Sequence, residues 1–408
     1  MSAWQKNYGW VIVTALLMLL MVVQGIVAAG IPTFDARIIA DLGVTRGGLK
    51  FRDLVQIFSA GTAGICIGYL TVLIKPRHLI LIGLALFSVC LFLYAKVTAL
   101  WMIYSLHVVM GFCYSSAHVV IVVLIVRQWF PHRQAIPIGI ALSGASLGSA
   151  LFPQIVVQLM QATDWRTAMA SLAIFPLVLL PLMALVMKDP PHAAGLSASD
   201  ALDATRAAPS EDKPPEMRTI IFLAIASFGI FYAAASFIFH TFLNLKDQNF
   251  SEQSAATGVS VIFFTGLAGK FISGFLAEKW GTRPVWLAHQ ALLLVGALMI
   301  TFASIETVWV ALFCLGFGWG GCFSLTQVML AEQFSGPMLG RLTGWFIAFE
   351  GIGSGSGSWL TGVMFDTFGG YRVPFLVCDA FLIASIVATL LLKRTEDARA
   401  ALLAGKHA

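Results

Sequence analysis

Long apolar runs recur along the whole chain and constrain its fold more than any other feature. The 408-residue sequence is 59% hydrophobic and only 11% charged, whereas a soluble domain carries about 25% charged residues. A chain this apolar has too little polar surface for water, so most of its surface must face lipid. Runs of about 20 apolar residues form helices there, because the backbone must satisfy its own hydrogen bonds. The sequence therefore predicts an all-α membrane protein.

Twelve such runs can be placed along the chain, and one polar segment divides them into two sets of six. The predicted spans are 9–32, 53–74, 79–97, 100–126, 134–160, 166–187, 219–243, 254–277, 284–304, 307–332, 341–364 and 373–392. Residues 188–218, rich in Pro, Ala, Ser and charge, predict a flexible linker. We therefore expect an N-terminal six-helix bundle over 1–187 and a C-terminal six-helix bundle with a short tail over 219–408, as in transporters built from two repeats.

The distribution of Lys and Arg orients these spans, because cytoplasmic loops carry an excess of both residues. With the N-terminus inside, roughly two thirds of the 25 Lys and Arg residues fall on the cytoplasmic side. We therefore expect a multi-pass protein of the cell (inner) membrane, with both termini and the linker in the cytoplasm.

A loop motif follows the second span of the second half. Residues 274–283 read Gly-Phe-Leu-Ala-Glu-Lys-Trp-Gly-Thr-Arg, which resembles the major facilitator superfamily signature G-x-L-A-D-x-x-G-x-R. Glu278 takes the acidic position and Arg283 the basic one, and together they can form a cytoplasmic latch between helices. The equivalent segment 68–77 lacks the acid, so a full latch is not expected in the first half.

Other segments resemble one group of that superfamily, the monocarboxylate porters and oxalate/formate antiporters. They are 8–13, 41–47, 129–135, Gly139, 165–166, Gly362, Asp366, Gly370, Tyr371 and Phe375. The resemblance runs along nearly the whole chain and implies the major facilitator fold, with twelve transmembrane helices in two six-helix bundles, one central site and alternating access. Known members move small organic anions by proton symport or by exchange, so the resemblance implies an organic anion and protons as partners.

Lys270 lies inside the eighth predicted span, where a charged side chain is costly and needs a reason. Relatives commonly carry an arginine at this position that grips the substrate carboxylate. Lysine keeps the charge but lacks the planar fork of arginine, which suits a monocarboxylate better than oxalate. The alternatives are a structural partner for a nearby acid and a lysine that snorkels to the cytoplasmic surface.

Glu350 lies in the eleventh span at a similar depth. At 1.5 Å per residue, Lys270 and Glu350 both lie roughly 10–14 Å above the cytoplasmic boundary, so they could pair. A carboxyl group at this depth could bind a transported proton, and the substrate anion would then compete with Glu350 for Lys270. The alternatives are a permanent structural ion pair and recognition of an amine on a zwitterionic substrate.

A polar stripe follows one face of the fourth span, where His107, Gly111, Tyr114 and His118 recur at helical spacing. Because such a stripe would be costly against lipid, it should face the cavity or another helix. Tyr114 and His118 lie at a depth that suits substrate contacts, with inter-helix hydrogen bonds as the equal alternative. Trp345 could shape the wall of the same pocket.

Three residues near the outer surface suggest a gate. His240 ends the seventh span, in a pattern that resembles the oxalate/formate antiporters, and Arg52 with Asp53 begins the second span at the same depth. These residues could form an outer gate whose ion pair breaks when the cavity opens outward. Alternatively, Arg52 and Asp53 are simply solvated at the interface.

Glycines at small-xxx-small spacing predict closely packed helices. Gly144 with Gly148 lies in the fifth span, and Gly351 with Gly355 lies in the eleventh. Such helices either pack statically or rock against each other during alternating access.

Searches for other chemistry leave transport as the favoured function. The chain has no Walker A or dinucleotide loop and no His/Cys cluster with metal spacing, and its basic residues are dispersed. We therefore expect no enzyme activity, cofactor, metal or nucleic acid partner. The favoured function is transport of a small monocarboxylate-like anion by a monomer, through proton coupling or exchange. The alternatives are an importer of a larger carboxylate, such as a siderophore or aromatic acid, and a non-transporting membrane sensor.

Overall fold

The protein is helical throughout the part of the chain that the computed structural model describes. These residues are 3–117, 119–130, 134–188, 217–302, 305–334 and 336–392. No strand occurs among them, which confirms the all-α prediction. His118 and most of the predicted linker 188–218 lie outside the described residues.

The described residues of the first half form nine helices of eight or more residues, several of which join end to end. They are α1 (Ala3–Gly25), α2 (Asp35–Leu42), α3 (Arg46–Leu73), α4 (Pro76–Tyr94), α5 (Leu100–Ser116), α6 (Val119–Trp129), α7 (Ala135–Ala162), α8 (Trp165–Leu172) and α9 (Ile174–Val186). A π-helical turn, Ile26–Gly30, and a short helical segment, Ile31–Thr33, extend α1. A π turn inside a membrane helix often marks a functional site.

The second half contains six long helices within its described residues. They are α10 (Met217–Asp247), α11 (Glu252–Trp280), α12 (Thr282–Phe302), α13 (Val308–Gln333), α14 (Gly336–Phe368) and α15 (Arg372–Leu391).

The helices that can cross a membrane follow the order of the predicted apolar runs. Ten stretches among the described residues are long and apolar enough to cross a membrane, with α5 and α6 forming one stretch and α8 and α9 another. The 28-residue α3 and the 33-residue α14 occupy the second and eleventh predicted positions. The expected fold of two six-helix bundles is confirmed.

The start of α3 differs from the predicted span, which begins only at residue 53. The helix begins at Arg46, because the Thr45 side chain accepts a hydrogen bond from the Gly48 backbone and caps the first turn. Lys50 and Arg52 therefore both lie in the second turn of a membrane helix, and both are fully buried. The alternative that Arg52 is solvated at the interface is therefore not seen in this structure.

The two halves meet along two helix pairs, α3 with α14 and α7 with α11. We call the end of the bundle where α1 begins and α15 ends the terminal side, and the other end the opposite side. Gly351 and Gly355 of α14 face Ile57 and Leu54 of α3, so a Cβ built on these glycines would lie 3.1 and 2.8 Å from the two side chains. This glycine pair therefore allows close approach between the halves.

Gly144 and Gly148 of α7 have the same spacing but a different role. Each faces a backbone carbonyl of α1, Leu17 and Met21 respectively, at distances that no Cβ could tolerate. They therefore hold α7 against α1 inside the first half.

A gap between the halves opens toward the terminal side. Past Ile57 and Gly351, no described atom lies within 4 Å of a Cβ built on Gly61, Gly64 or Gly344. The same is true of Gly139 in α7 and Gly274 in α11. All five glycines lie on the four interface helices, and the described hydrogen bonds between the halves lie at the centre or on the opposite side, so we infer a structure that is closed on the opposite side and open on the terminal side.

Candidate functional site

Lys270 lies at the closed end of this gap, about three turns before the end of α11. Its Nζ donates a hydrogen bond to Ser146 Oγ of α7 at 3.0 Å and lies 4.7 Å from the centre of the Phe323 ring. Among the described residues, no Asp or Glu forms an ion pair with Lys270. The ammonium therefore points across to the other half, and its partners here are a neutral hydroxyl and a ring face.

The Phe323 ring beside Lys270 belongs to a cluster of three aromatic rings of the second half. The Phe323 ring lies 5.5 Å from Trp319 on the same helix, and Phe231 of α10 lies 5.1 Å from Trp319 and 6.1 Å from Phe323. We call Phe231, Trp319 and Phe323 the aromatic wall. The signal for it in the sequence was weak, because isolated aromatic residues in membrane helices usually pack against neighbours.

Glu350 is only 5% exposed and lies inside the second half. Ser227 Oγ of α10 donates to its Oε1 at 2.8 Å, and Gln327 Nε2 of α13 lies 3.2 and 3.1 Å from its two oxygens. The carboxyl group is thus held by neutral donors. The predicted pairing with Lys270 is absent from this conformation, because Lys270 reaches toward α7 while Glu350 turns toward α10 and α13.

The polar stripe of the fourth span is only partly described. His107 is buried, and its Nδ1 lies 2.7 Å from Gln56 Oε1 of α3, which favours the inter-helix alternative. Tyr114 interacts with the side chain of Gln24 in α1, just before the π turn. His118 lies outside the described residues. Gln24, which the sequence analysis did not single out, is therefore the first-half residue that joins Tyr114 near the centre.

Trp345 does not join the residues around Lys270. It is 76% exposed and lies in α14 on the terminal side of Glu350, without a ring contact among the described residues. The aromatic side chain that contacts Lys270 is Phe323 of α13 instead.

On the opposite side, Arg52 and Asp53 belong to a buried charge cluster within the first half. Asp35 of α2 lies 2.6 Å from Lys50 Nζ and also pairs with Arg52. Asp53 lies 3.4 Å from Arg52 and 3.8 Å from Lys50, and Arg52 also donates to the Tyr94 hydroxyl at 3.2 Å. We call Asp35, Lys50, Arg52 and Asp53 the charge cluster; it contains two acids and two bases.

Two hydrogen bonds tie the charge cluster to the second half. Lys50 Nζ donates to the Phe239 carbonyl at 2.7 Å, and Ser358 Oγ donates to Asp53 Oδ2 at 2.6 Å. His240 Nε2 donates to the Ser358 carbonyl at 2.8 Å. The predicted gate residues therefore share one network, but His240 reaches Asp53 only through Ser358, a residue that sequence reasoning missed.

Arg46 extends this network to the end of the bundle. Its guanidinium binds Asp247 through both Nη atoms, at 2.6 and 2.7 Å, and donates to the Tyr371 hydroxyl at 2.8 Å. Tyr371 in turn donates to His240 Nδ1 at 2.9 Å, since Nε2 already carries the proton donated to Ser358. The contacts of Lys50, Asp53 and Arg46 with the second half form what we call the opposite-side latch.

Asp366 of α14 adds a cap across the halves. Its carboxylate accepts hydrogen bonds from the backbone N–H groups of Arg46 and Gly47, at 3.0 and 2.7 Å. A carboxylate at a helix N-terminus satisfies free donors and complements the helix dipole. The second half thus caps the first turn of α3.

The loop motif on the terminal side holds helices together in a different way from the one predicted. Arg283 donates to the carbonyls of Thr389 and Leu390, at 3.2 and 2.8 Å, and so ties α12 to the end of α15. Glu278 is exposed. The acid that binds this loop is Glu332 of α13, which accepts a hydrogen bond from the Thr282 hydroxyl.

Comparison with known proteins adds a family match and several relatives. The family model described as Major Facilitator Superfamily matches residues 13–262 and 219–407. An uncharacterized MFS-type transporter, YhjX of Escherichia coli (strain K12), is 26% identical over 234 residues, which is 56% of this chain and 56% of that protein. The alignment thus spans little more than half of that relative.

Two further relatives align over more of the chain. YcxA of Bacillus subtilis (strain 168), also an uncharacterized MFS-type transporter, is 26% identical over 69% of both chains. Monocarboxylate transporter 13 of Bos taurus is 25% identical over 63% of this chain and 59% of that protein.

Two solved structures share the fold at low identity. The nucleoside transporter NupG superposes with a TM-score of 0.74 and 13% identity, covering 94% of this chain and 100% of that chain. A bacterial homolog of the human lysosomal transporter Spinster, in an inward-facing and unoccupied conformation, gives a TM-score of 0.70 and 13% identity over 95% and 98%. At these identities the likeness concerns the fold alone.

Proposed function

Because the chain belongs to the Major Facilitator Superfamily, we propose that it is a secondary active transporter of a small organic anion of the monocarboxylate type. Alternating access requires two end states, each open to one side of the membrane. A gap open to the terminal side and a latch on the opposite side are the features of one such state. If the termini are cytoplasmic, as the Lys and Arg distribution predicts, this is the inward-open state.

The observation that carries the proposal is the environment of Lys270. A cation inside a membrane protein normally pairs with an acid, because burying an unpaired charge is costly. The described partners of Lys270 are the Ser146 hydroxyl and the Phe323 ring. An anion that enters the gap from the terminal side would supply the missing negative charge at the place where the two halves meet.

The chemistry of lysine indicates which class of anion binds. The ammonium is a compact point charge, which binds a single carboxylate without the paired geometry that an arginine provides. A relative named as a monocarboxylate transporter supports the same class. Ser146, on the other half, would help to orient the bound carboxylate, so binding would involve both bundles.

We assign proton coupling to Glu350. Its carboxyl group is buried and contacts only the neutral donors Ser227 and Gln327 among the described residues. Keeping a charge there is costly, and uptake of a proton removes that cost. Because Glu350 lies in the second half and not on the gap surface, it would bind its proton without touching the substrate.

The opposite-side latch would serve as the gate that opens in the other end state. The partners of Arg52 all lie in the first half, so its ion pairs need not break when the halves separate. The bonds that must break include those from Ser358 to Asp53, from Lys50 to the Phe239 carbonyl, and from Arg46 to Asp247, together with the cap that Asp366 places on α3. His240 then acts by positioning Ser358.

Uptake of labelled lactate and pyruvate into proteoliposomes, with and without an inward proton gradient, tests the function. We expect uptake that Lys270→Met abolishes and that Lys279→Met, which removes an exposed lysine from the same helix, leaves intact. Lack of uptake of any organic anion by the reconstituted wild-type protein would overturn the proposal.

A further inference from the structure

The aromatic wall presents an apolar surface to the same gap as Lys270. Phe323 is 42% exposed although it lies deep in the bundle, and the Lys270 ammonium that sits over its ring is bonded to Ser146 of the other half. The ring therefore borders the space between the halves. Phe231 and Trp319 back it from one side and are largely buried.

The position of the wall along the helices relates it to Glu350. Ser227 and Phe231 lie one turn apart on α10, and Phe323 and Gln327 lie one turn apart on α13. In both helices the residue that binds Glu350 is the one nearer the terminal side. Measured along the helix axes, Glu350 thus lies about one helical turn, or about 5 Å, nearer the terminal side than the aromatic wall.

From this arrangement we propose that the transported anion is an aromatic monocarboxylate, whose carboxylate binds Lys270 while its ring lies on Phe323 within the aromatic wall. The proposal rests on the proposed function and names the substrate class of that site. A flat ring covers the exposed face of Phe323 and removes apolar surface from water. Acetate or lactate would satisfy Lys270 and leave that face uncovered.

Glu350 is not placed to receive the amine of a zwitterionic substrate. It is 5% exposed, and both of its oxygens already lie within hydrogen-bonding distance of donors. The described partners of the substrate position are therefore one cation and an aromatic surface, which match an acid with an apolar body.

Three ligands distinguish the contribution of Lys270 to binding from that of the aromatic wall. Acetate carries the charge without a ring, benzamide carries the ring without a charge, and benzoate carries both. We expect the purified wild-type protein to bind benzoate about tenfold more tightly than acetate, since covering an aromatic side chain is worth roughly one such factor. Benzamide should bind more weakly than benzoate by at least a similar factor.

Variants assign each part to its residue. Phe323→Ala should weaken benzoate binding about tenfold and leave acetate binding unchanged, while Lys270→Met should reduce benzoate binding to the level of benzamide. Phe313→Ala is the matched control, because Phe313 is 49% exposed on the same helix and stacks on Phe317, away from Lys270. Phe323→Leu keeps an apolar side chain if the alanine variant does not fold.

Two results would overturn the substrate class while leaving anion transport intact. One is acetate and lactate binding as tightly as benzoate in the wild-type protein. The other is Phe323→Ala, or the folded Phe323→Leu variant, weakening acetate and benzoate by the same factor. Absence of binding for all three acids would instead overturn the proposed function itself.

Discussion

The charge cluster on the opposite side and the central site both hold charges inside the membrane, but they compensate them differently. In the charge cluster, Asp35 and Asp53 are matched by Lys50 and Arg52 within 4 Å. At the centre, Lys270 and Glu350 have only neutral partners among the described residues.

The difference separates a structural role from a functional one. A matched cluster keeps its charges through the transport cycle, because separating them would leave an uncompensated ion in a poorly solvated place. An unmatched charge can exchange its compensating partner during the cycle. The proposed binding of the substrate anion and of the proton is therefore assigned to the central charges.

Replacing one basic residue by methionine in each region gives the sharpest test of this comparison. Arg52→Met leaves the acids of the charge cluster with one base, and we expect it to lower the free energy of unfolding by about 3–5 kcal/mol. Denaturant titration in mixed detergent measures this loss. Arg37→Met is the control, since the Arg37–Glu252 pair is 52% exposed at the arginine and should contribute about 0–1 kcal/mol. Equal losses in both variants would contradict the structural role of the cluster.

Lys270→Met should have the reverse profile. We expect unchanged or higher thermal stability, because no described acid loses its partner. We expect the affinity for the substrate anion to fall about 100-fold, because the variant loses a hydrogen bond between charged groups. Thermal melts with and without ligand measure both quantities. A loss of stability comparable to that of Arg52→Met would make Lys270 structural, and unchanged affinity would remove it from the substrate site.

Glu350→Gln tests whether the second unmatched charge carries the proton. A gradient of one pH unit supports about tenfold accumulation of an anion moved with one proton, and we expect the variant to lose this accumulation while it retains exchange of substrate for substrate. The measurement is uptake against counterflow in proteoliposomes. Glu306→Gln, at an exposed position between α12 and α13, should behave as wild type. Retained accumulation in Glu350→Gln would assign coupling elsewhere.

The smallest effect should come from one of the two bonds that join the charge cluster to the second half, the bond from Ser358 to Asp53. Ser358→Ala removes the donor to Asp53 but keeps the carbonyl that binds His240, and we expect it to favour separation on the opposite side by about 1 kcal/mol, or fivefold. Spin labels on Lys96 and Glu306, one in each half on that side, would report the distance between the halves.

Ser356→Ala is the control for this variant, because Ser356 donates only to carbonyls of its own helix. If Ser358→Ala leaves the distance distribution unchanged, the bond from Ser358 to Asp53 is not part of the gate.

The sequence singled out the two central charges but did not predict their contacts. The sequence placed Lys270 and Glu350 at the same depth in the membrane. Two residues at the same depth can still face different helices. Rotation of α11 and α14 about their axes turns Lys270 toward α7 and Glu350 toward Ser227 and Gln327. The depth estimate carries no information about this rotation.

The gate residues show the same limit. Arg52 and Asp53 could be proposed from their position at the start of a span, but Asp35 and Ser358 lie far away in the chain. Glycine spacing was equally ambiguous, since Gly144 and Gly148 pack within one half while Gly351 and Gly355 pack between the halves.

Composition and the lengths of the apolar runs determined that the chain is a helical membrane protein, because the solvent requirement of each segment is local to that segment. The contacts of Lys270, Glu350 and the charge cluster were decided only by the tertiary structure. Each of these contacts joins residues from different helices, and which faces meet depends on how all the helices pack together.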